Sequence, residues 1–495
     1  SNVIGAYSGY TAGLPAATGS STTNYSDTTT GVTLTAGVAL NSLKLAPATT
    51  AQTIALGANA LTFTAVATTG PAGLLFDGTN AAATISGTAA TAITTTVASG
   101  ELVVYTGHTS GSGNALTISA IIGGTNLTTV TKAGPDLLDL GTQANLFSGT
   151  LRVNEGTVRF GSVAATGTAQ PLGKGSVTLG GGAKTATLDY SGATATAWTQ
   201  AITLGDGGVG QFNLSQSGTV STLTVGGVIS GAAGLTVLSP ATAGSGLILG
   251  GTNTYMGVTT IKSGAKVSIS NSAGLGGSGT IANGTVVENG GVLDIQDNKG
   301  TADIITISGS GIGGTGAITY SGATTDMSTT ATLKYVILAG DSMIGATGST
   351  VKQLSIVGGF IKGNGFNLTF NESNYAWLIN DVIDNVPVIT QSNGGLVIQN
   401  MTLGGGASQS LVFLGSGKQL QLRAANVDRA LTFGSTGQSI LATSTGSADN
   451  IITQDVTQTA AASTLTLRAE TGNSLVIRGN LLSTIGDSEI GRAHV

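Results

Sequence analysis

Acid–base cleavage of a polysaccharide requires two carboxylates held a few ångströms apart. One close acidic pair, Asp381 and Asp384, lies in an apolar stretch and reads first as turn or cap residues. Asp294 and Asp297 flank a turn-like Asp-Asn-Lys-Gly run and read as turn formers. The chain has no adjacent Asp pair, no Gly-His-Gly and no Arg-x-Lys. Its histidines are His108, in the polar run Gly107-His-Thr-Ser-Gly with no predicted partner, and His494, and it has no cysteine. Zinc sites and Ser-His-Asp hydrolysis both need convergent side chains of a kind this inventory does not supply. The run Gly205-Asp-Gly-Gly-Val-Gly is a single Gly-rich turn, not a repeated ion-binding loop. No catalytic residue, cofactor or metal is therefore expected.

One group of side chains suits binding. Phe360, Phe366, Phe370, Tyr375 and Trp377 fall close together, and Trp377 is one of the chain's two tryptophans. Aromatics on the outer face of a sheet can stack on sugar rings or anchor a partner. Phe370, Tyr375 and Trp377 are the candidate glycan or partner contacts. The alternative is an internal aromatic stack or a cap that ends a domain.

The elements that must carry these residues are strands. Charged residues make up 8% of the 495, against roughly 25% in an ordinary soluble domain. The exterior must therefore be built from Thr, Ser, Asn and backbone. Apolar residues reach 40%, in short Val, Ile and Leu clusters that argue against disorder. Net charge is −5 and no basic run occurs, so the positive footprint for nucleic acid or anionic lipid is missing from the sequence. No apolar run reaches the 18 or so residues of a membrane span. Gly31-Val-Thr-Leu-Thr, Gln52-Thr-Ile-Ala-Leu, Ala60-Leu-Thr-Phe-Thr-Ala-Val, Ala83-Thr-Ile-Ser-Gly and Glu101-Leu-Val-Val-Tyr read as short strands bounded by turn residues. Only Glu372–Asp384 has rough helical spacing, and its β-branched content makes a strand pair equally plausible.

An internal repeat organises these strands. Asn145, Phe147, Gly149, Val153 and Gly156 each recur 108 residues later, as Asn253, Tyr255, Gly257, Ile261 and Gly264. Both copies continue to a Leu-Gly pair, Leu172-Gly173 and Leu275-Gly276. A strand of this length leaves both edges unpaired. Stacked coils pair every edge about 4.8 Å above and below and merge the small apolar faces into one core. Roughly 20–25 residues per coil is expected.

The runs Gly231-Ala-Ala-Gly-Leu-Thr-Val, Leu247-Ile-Leu-Gly-Gly-Thr-Asn-Thr-Tyr-Met-Gly-Val-Thr-Thr-Ile and Ser270-Asn-Ser-Ala-Gly-Leu-Gly resemble the passenger-associated strand repeat of bacterial autotransporters. Leu137 to Phe160 with Pro171-Leu-Gly-Lys-Gly-Ser-Val-Thr-Leu resembles a more divergent copy. The resemblance covers roughly a third of the chain. It implies an all-β fold, a right-handed parallel β-helix (β-solenoid), exported to the outer surface of a Gram-negative-type cell or beyond. It carries over no catalytic residues. The outer-membrane β-barrel that ends such proteins does not appear after residue 400.

The expected organisation is an N-terminal arm or cap at 1–45, a β-rich solenoid start at 46–130, repeat-bearing β-helix at 131–300 and continuing solenoid at 301–488. Residues 489–495, Glu-Ile-Gly-Arg-Ala-His-Val, look like the translation of a sequencing adapter and read as a non-native tail. Three functions compete. The first is a non-catalytic adhesin-like surface scaffold whose partners are host or environmental glycans or other surface proteins. The second is a self-assembling subunit of an extracellular filament or surface layer, a homopolymer. The third is a β-helical polysaccharide-active enzyme.

Overall fold

The computed structural model describes residues 9–64, 72–108, 113–240, 242–277, 279–296, 300–321, 333–346, 353–372, 375–443, 448–461 and 464–484. His494, Asp297 and the 489–495 tail lie outside them. The chain forms two compact units, Ser1–Gly257 and Val258–Val495. Both are built from short strands stacked in parallel ladders, the β-solenoid architecture expected from the sequence. All five strand runs picked out above are strands: Gly31–Thr33, Gln52–Ala55, Leu61–Phe63, Ala83–Ser86 and Gly100–Gly107.

In the first unit a 10-stranded parallel sheet runs from Thr11–Ala12 to Ile229–Gly231. It begins inside the segment expected to be an arm, since Thr11 pairs with Tyr25 and Tyr25 with Leu43. Further on, Leu151, Val177, Ile202 and Ile229 pair in succession, and all are 0% exposed. Each inward aliphatic thus sits on the one below, and full burial of such a side chain contributes about 1.5–3 kcal/mol. Coil length varies with the loops. Leu151 pairs with the residue 26 later, Val177, whereas Leu43 pairs with Leu74, 31 later. The 20–25 estimate is long for the first two coils, Thr11 to Tyr25 and Tyr25 to Leu43, and short for the next ones, Leu43 to Leu74 and Leu74 to Val104, where loops add length without adding ladder.

The repeat positions have physical causes. The side chains of Asn145 and Asn253 are buried, and each Oδ1 accepts a backbone N–H from the coil below, Ile122 and Ile229, both at 2.8 Å. Asn145 Nδ2 donates upward to the Pro171 carbonyl at 2.8 Å. Phe147 and Tyr255 are fully buried, as are Val153 and Ile261. Gly156 and Gly264 have φ of 75° and 80°, a region costly for any residue with a Cβ. Gly173, at φ 77°, faces the Phe147 ring so closely that a Cβ there would collide with it.

The second unit uses the same devices. Ala376, Leu396, Leu420 and Ile440 pair in succession as an inward row. Phe413 and Phe433 stack with ring centres 5.0 Å apart. Asn450 repeats the asparagine bracket, accepting from Ala425 N–H below and donating to the Ser474 carbonyl above, each at 3.1 Å. The stretch with rough helical spacing is the strand pair Tyr375–Ile379 and Val382–Asp384. Asp294 is not a turn former. It lies in the strand Val292–Ile295, 0% exposed, bonded to the hydroxyls of Ser268 and Ser321 and paired with Lys266 at 3.1 Å. The turn signal of the following residues obscured a strand whose outward position is polar.

Candidate functional site

The aromatics grouped by the sequence separate in space. Leu368–Asn371 alternates buried and half-buried positions, which turns Phe370 inward at 0% exposure. It is a core residue and offers no surface. Phe360 packs against Tyr335 with ring centres 5.0 Å apart, and Phe366 is 36% exposed. In Tyr375–Ile379, Ala376 and Leu378 point inward, so period-two alternation presents Tyr375 and Trp377 outward, each half-buried.

The next coils complete an outer face around these two rings. Trp377 pairs with Val397, then Gln421, Leu441 and Arg468 along one outward row. The neighbouring rows carry Tyr375, Gly395, Gln419 and Ser439 on one side, and Ile379, Gln399 and Arg423 on the other. The Arg423 guanidinium lies over the Trp377 ring, 4.7 Å from its centroid. Val397, between Trp377 and Gln421, is 0% exposed, so an outward valine here is roofed by its neighbours. Arg423 Nη2 donates to Gln421 Oε1 at 3.2 Å, and Gln421 Nε2 to Gln419 Oε1 at 2.8 Å. Gln419 Oε1 also accepts the Tyr375 hydroxyl at 3.3 Å, while Gln419 Nε2 donates to Ser439 Oγ at 3.1 Å. The Tyr375 ring rests against the backbone at Gly395, where any Cβ would strike it. Two N–H groups, Trp377 Nε1 and Arg423 Nε, have no acceptor among the described residues. Flat rings and a fixed amide network form a surface that can stack on a ring and bond its oxygens.

The titratable groups elsewhere do structural work. Asp381 is buried and accepts the N–H groups of Gly359 and Ile379, each at 3.0 Å, while Asp384 is exposed. That is the turn role, and burial raises the Asp381 carboxyl to about 6. Burial likewise raises Glu372 to about 8 and Asp303 to about 7, against hydrogen bonds from Gln391 and Thr285 respectively. His108 does have a partner, the buried Asp136, at 2.5 Å. The link spans two coils and could not be read from a single loop. Lys132 was not singled out by sequence. It is fully buried and donates to the carbonyls of Ala133, Gly134 and Glu155 at 3.0, 2.6 and 3.0 Å. Burial pushes it down to about 7 against the pull of Asp136 and Glu155. Among the described residues no cluster of three His, Asp or Glu could hold a metal ion, and no helix is long and apolar enough to cross a membrane.

Arg423, Gln419 and Gln421 also escaped the sequence reading. Their signal was Gln419-Leu-Gln-Leu-Arg, polar residues alternating with inward leucines, but only the register sets them beside Trp377.

No family model matches the chain, and no solved structure matches it. Among curated proteins it is similar to the adhesin BmaC autotransporter of Brucella suis biovar 1 (strain 1330), at 34% identity over 158 residues. That match covers 31% of this chain and 4% of the relative, so the chain spans only a small part of that protein's length.

Proposed function

We propose that this chain is a segment of a cell-surface or secreted, adhesin-like β-solenoid scaffold of a Gram-negative-type bacterium, non-catalytic, and that it makes contact through the outer face around Tyr375 and Trp377. The observation that carries the contact role is the Arg423 guanidinium stacked on Trp377 within a chain of bonded glutamines. Such a surface is ordered before any ligand arrives, which lowers the entropy lost on binding. The distant similarity to an adhesin autotransporter supports the location. The β-helical scaffold role agrees with the carboxylates, since Asp381 is committed to backbone N–H groups rather than poised over a cleft.

Two measurements test this. Antibodies against the 131–300 segment should label intact, unpermeabilised cells that make the natural protein; labelling only after lysis would contradict the surface location. A glycan array probed with the full chain and with a Tyr375→Ala/Trp377→Ala double variant should show binding that the double variant loses. Equal binding by both would remove this face from the account.

A further inference from the structure

We infer that the occupant of the Trp377 face is a carboxylate-bearing polysaccharide, a polyuronate chain lying across the coils; this rests on the proposed contact role of the same face.

The charge of the face departs from that of the chain. The whole sequence carries 18 Lys and Arg against 23 Asp and Glu. The three outward rows through Tyr375, Trp377 and Ile379 present two cations, Arg423 and Arg468, and their paired strand positions include no carboxylate. The nearest acid in line, Glu470, lies beyond Arg423 and is bonded to the Thr443 hydroxyl. Glu470 lies two residues from Arg468 on the same outward alternation, so the face carries two arginines and one glutamate, a local excess of positive charge in a chain of net charge −5. Complementary charge of this kind selects partners more than it strengthens them.

The geometry suits an extended chain. Trp377 and Arg468 are four ladder steps apart, about 19 Å at about 4.8 Å per step. Each step is close to the length of one sugar residue; Val397 and Leu441 are buried, so a linear polysaccharide running along the row meets Trp377, Gln421 and Arg468 at every second residue. Trp377 offers a ring face, Gln421 and Gln419 an amide network, and Arg423 and Arg468 guanidinium groups that match a planar carboxylate. Arg423 is already held by Gln421 and the indole, which fixes its guanidinium on the face. Arg423 and Arg468 fall two ladder steps apart, so they would meet the carboxylates of every second sugar. A heavily sulfated chain would call for a dense basic cluster.

The test titrates the full chain with polygalacturonate, a neutral polysaccharide of similar length and a sulfated one, at low and high ionic strength. Wild type, Trp377→Ala, Arg423→Gln and Arg468→Gln are compared with Arg478→Gln, an exposed cation outside these rows, and circular dichroism checks each fold. The inference expects polygalacturonate binding that weakens with salt. Trp377→Ala and Arg423→Gln should each weaken it at least tenfold, Arg468→Gln should weaken it less, and Arg478→Gln should leave it unchanged. Neutral or sulfated chains bound as tightly, with loss in Trp377→Ala, would overturn the polyuronate and keep the contact face. No binding of any polysaccharide, or binding indifferent to Trp377→Ala, would overturn both.

Discussion

Asn145 and Asn253 make the same bond in coils 108 residues apart: each carboxamide oxygen accepts the N–H of an isoleucine in the coil below, at 2.8 Å. Without the asparagine that N–H would be buried and unpaired, and a buried unpaired donor costs about 1–3 kcal/mol. The asparagine supplies the missing acceptor in both coils.

Asn145→Ala should therefore lower the unfolding free energy of the first unit by about 1–3 kcal/mol, as measured by urea denaturation. Asn145→Asp keeps the acceptor but replaces the donor facing the Pro171 carbonyl with an oxygen, and should also destabilise. A loss below about 0.5 kcal/mol for the alanine variant would show that water replaces the carboxamide.

Glycines divide by conformation rather than by count. Gly173→Ala meets both a φ of 77° and the Phe147 ring, and is expected to cost about 2–4 kcal/mol. Gly181, with open space around its Cβ position and no positive φ, should accept alanine within about 0.5 kcal/mol. Thermal melts of the two variants check the contrast, and equal melting temperatures would contradict it.

Three buried carboxyls of the second unit, Asp381, Asp303 and Glu372, are raised to about 6, 7 and 8. The folded state then holds protons that the unfolded chain has released, so stability falls as pH rises from the unfolded carboxyl value through about 8. Lys132 in the first unit, lowered to about 7, runs the other way: there the unfolded chain holds the proton, and stability rises between about 7 and 10.5. Glu372→Gln removes one ionisation at a site already bonded to Gln391. Its urea midpoint should fall less than that of wild type between about pH 5 and 8. An identical slope for both proteins would contradict the assignment.

The architecture was legible because stacking imposes local rules. Period-two runs, turn glycines and the Asn-x-aromatic motif can each be read within one coil's length of sequence, and the parallel solenoid follows from them. The binding face was only half legible. Alternation around Ala376 and Leu378 was enough to turn Tyr375 and Trp377 outward, and the same rule sends Phe370 into the core. Arg423 reaches Trp377 from two coils away, a distance set by loop lengths that no short window of residues records. Lys132 and the His108–Asp136 pair were missed for the same reason, since their partners come from other coils.

Trp377 itself is the most direct reporter of the central claim, because the chain's other tryptophan, Trp198, is 0% exposed in the first unit. Titration of the full chain with polygalacturonate should give a saturable change in tryptophan emission. That change should persist in Trp198→Phe and vanish in Trp377→Phe. A change that survives Trp377→Phe, or saturable binding with no change in Trp377 emission, would place the ligand elsewhere and contradict the account.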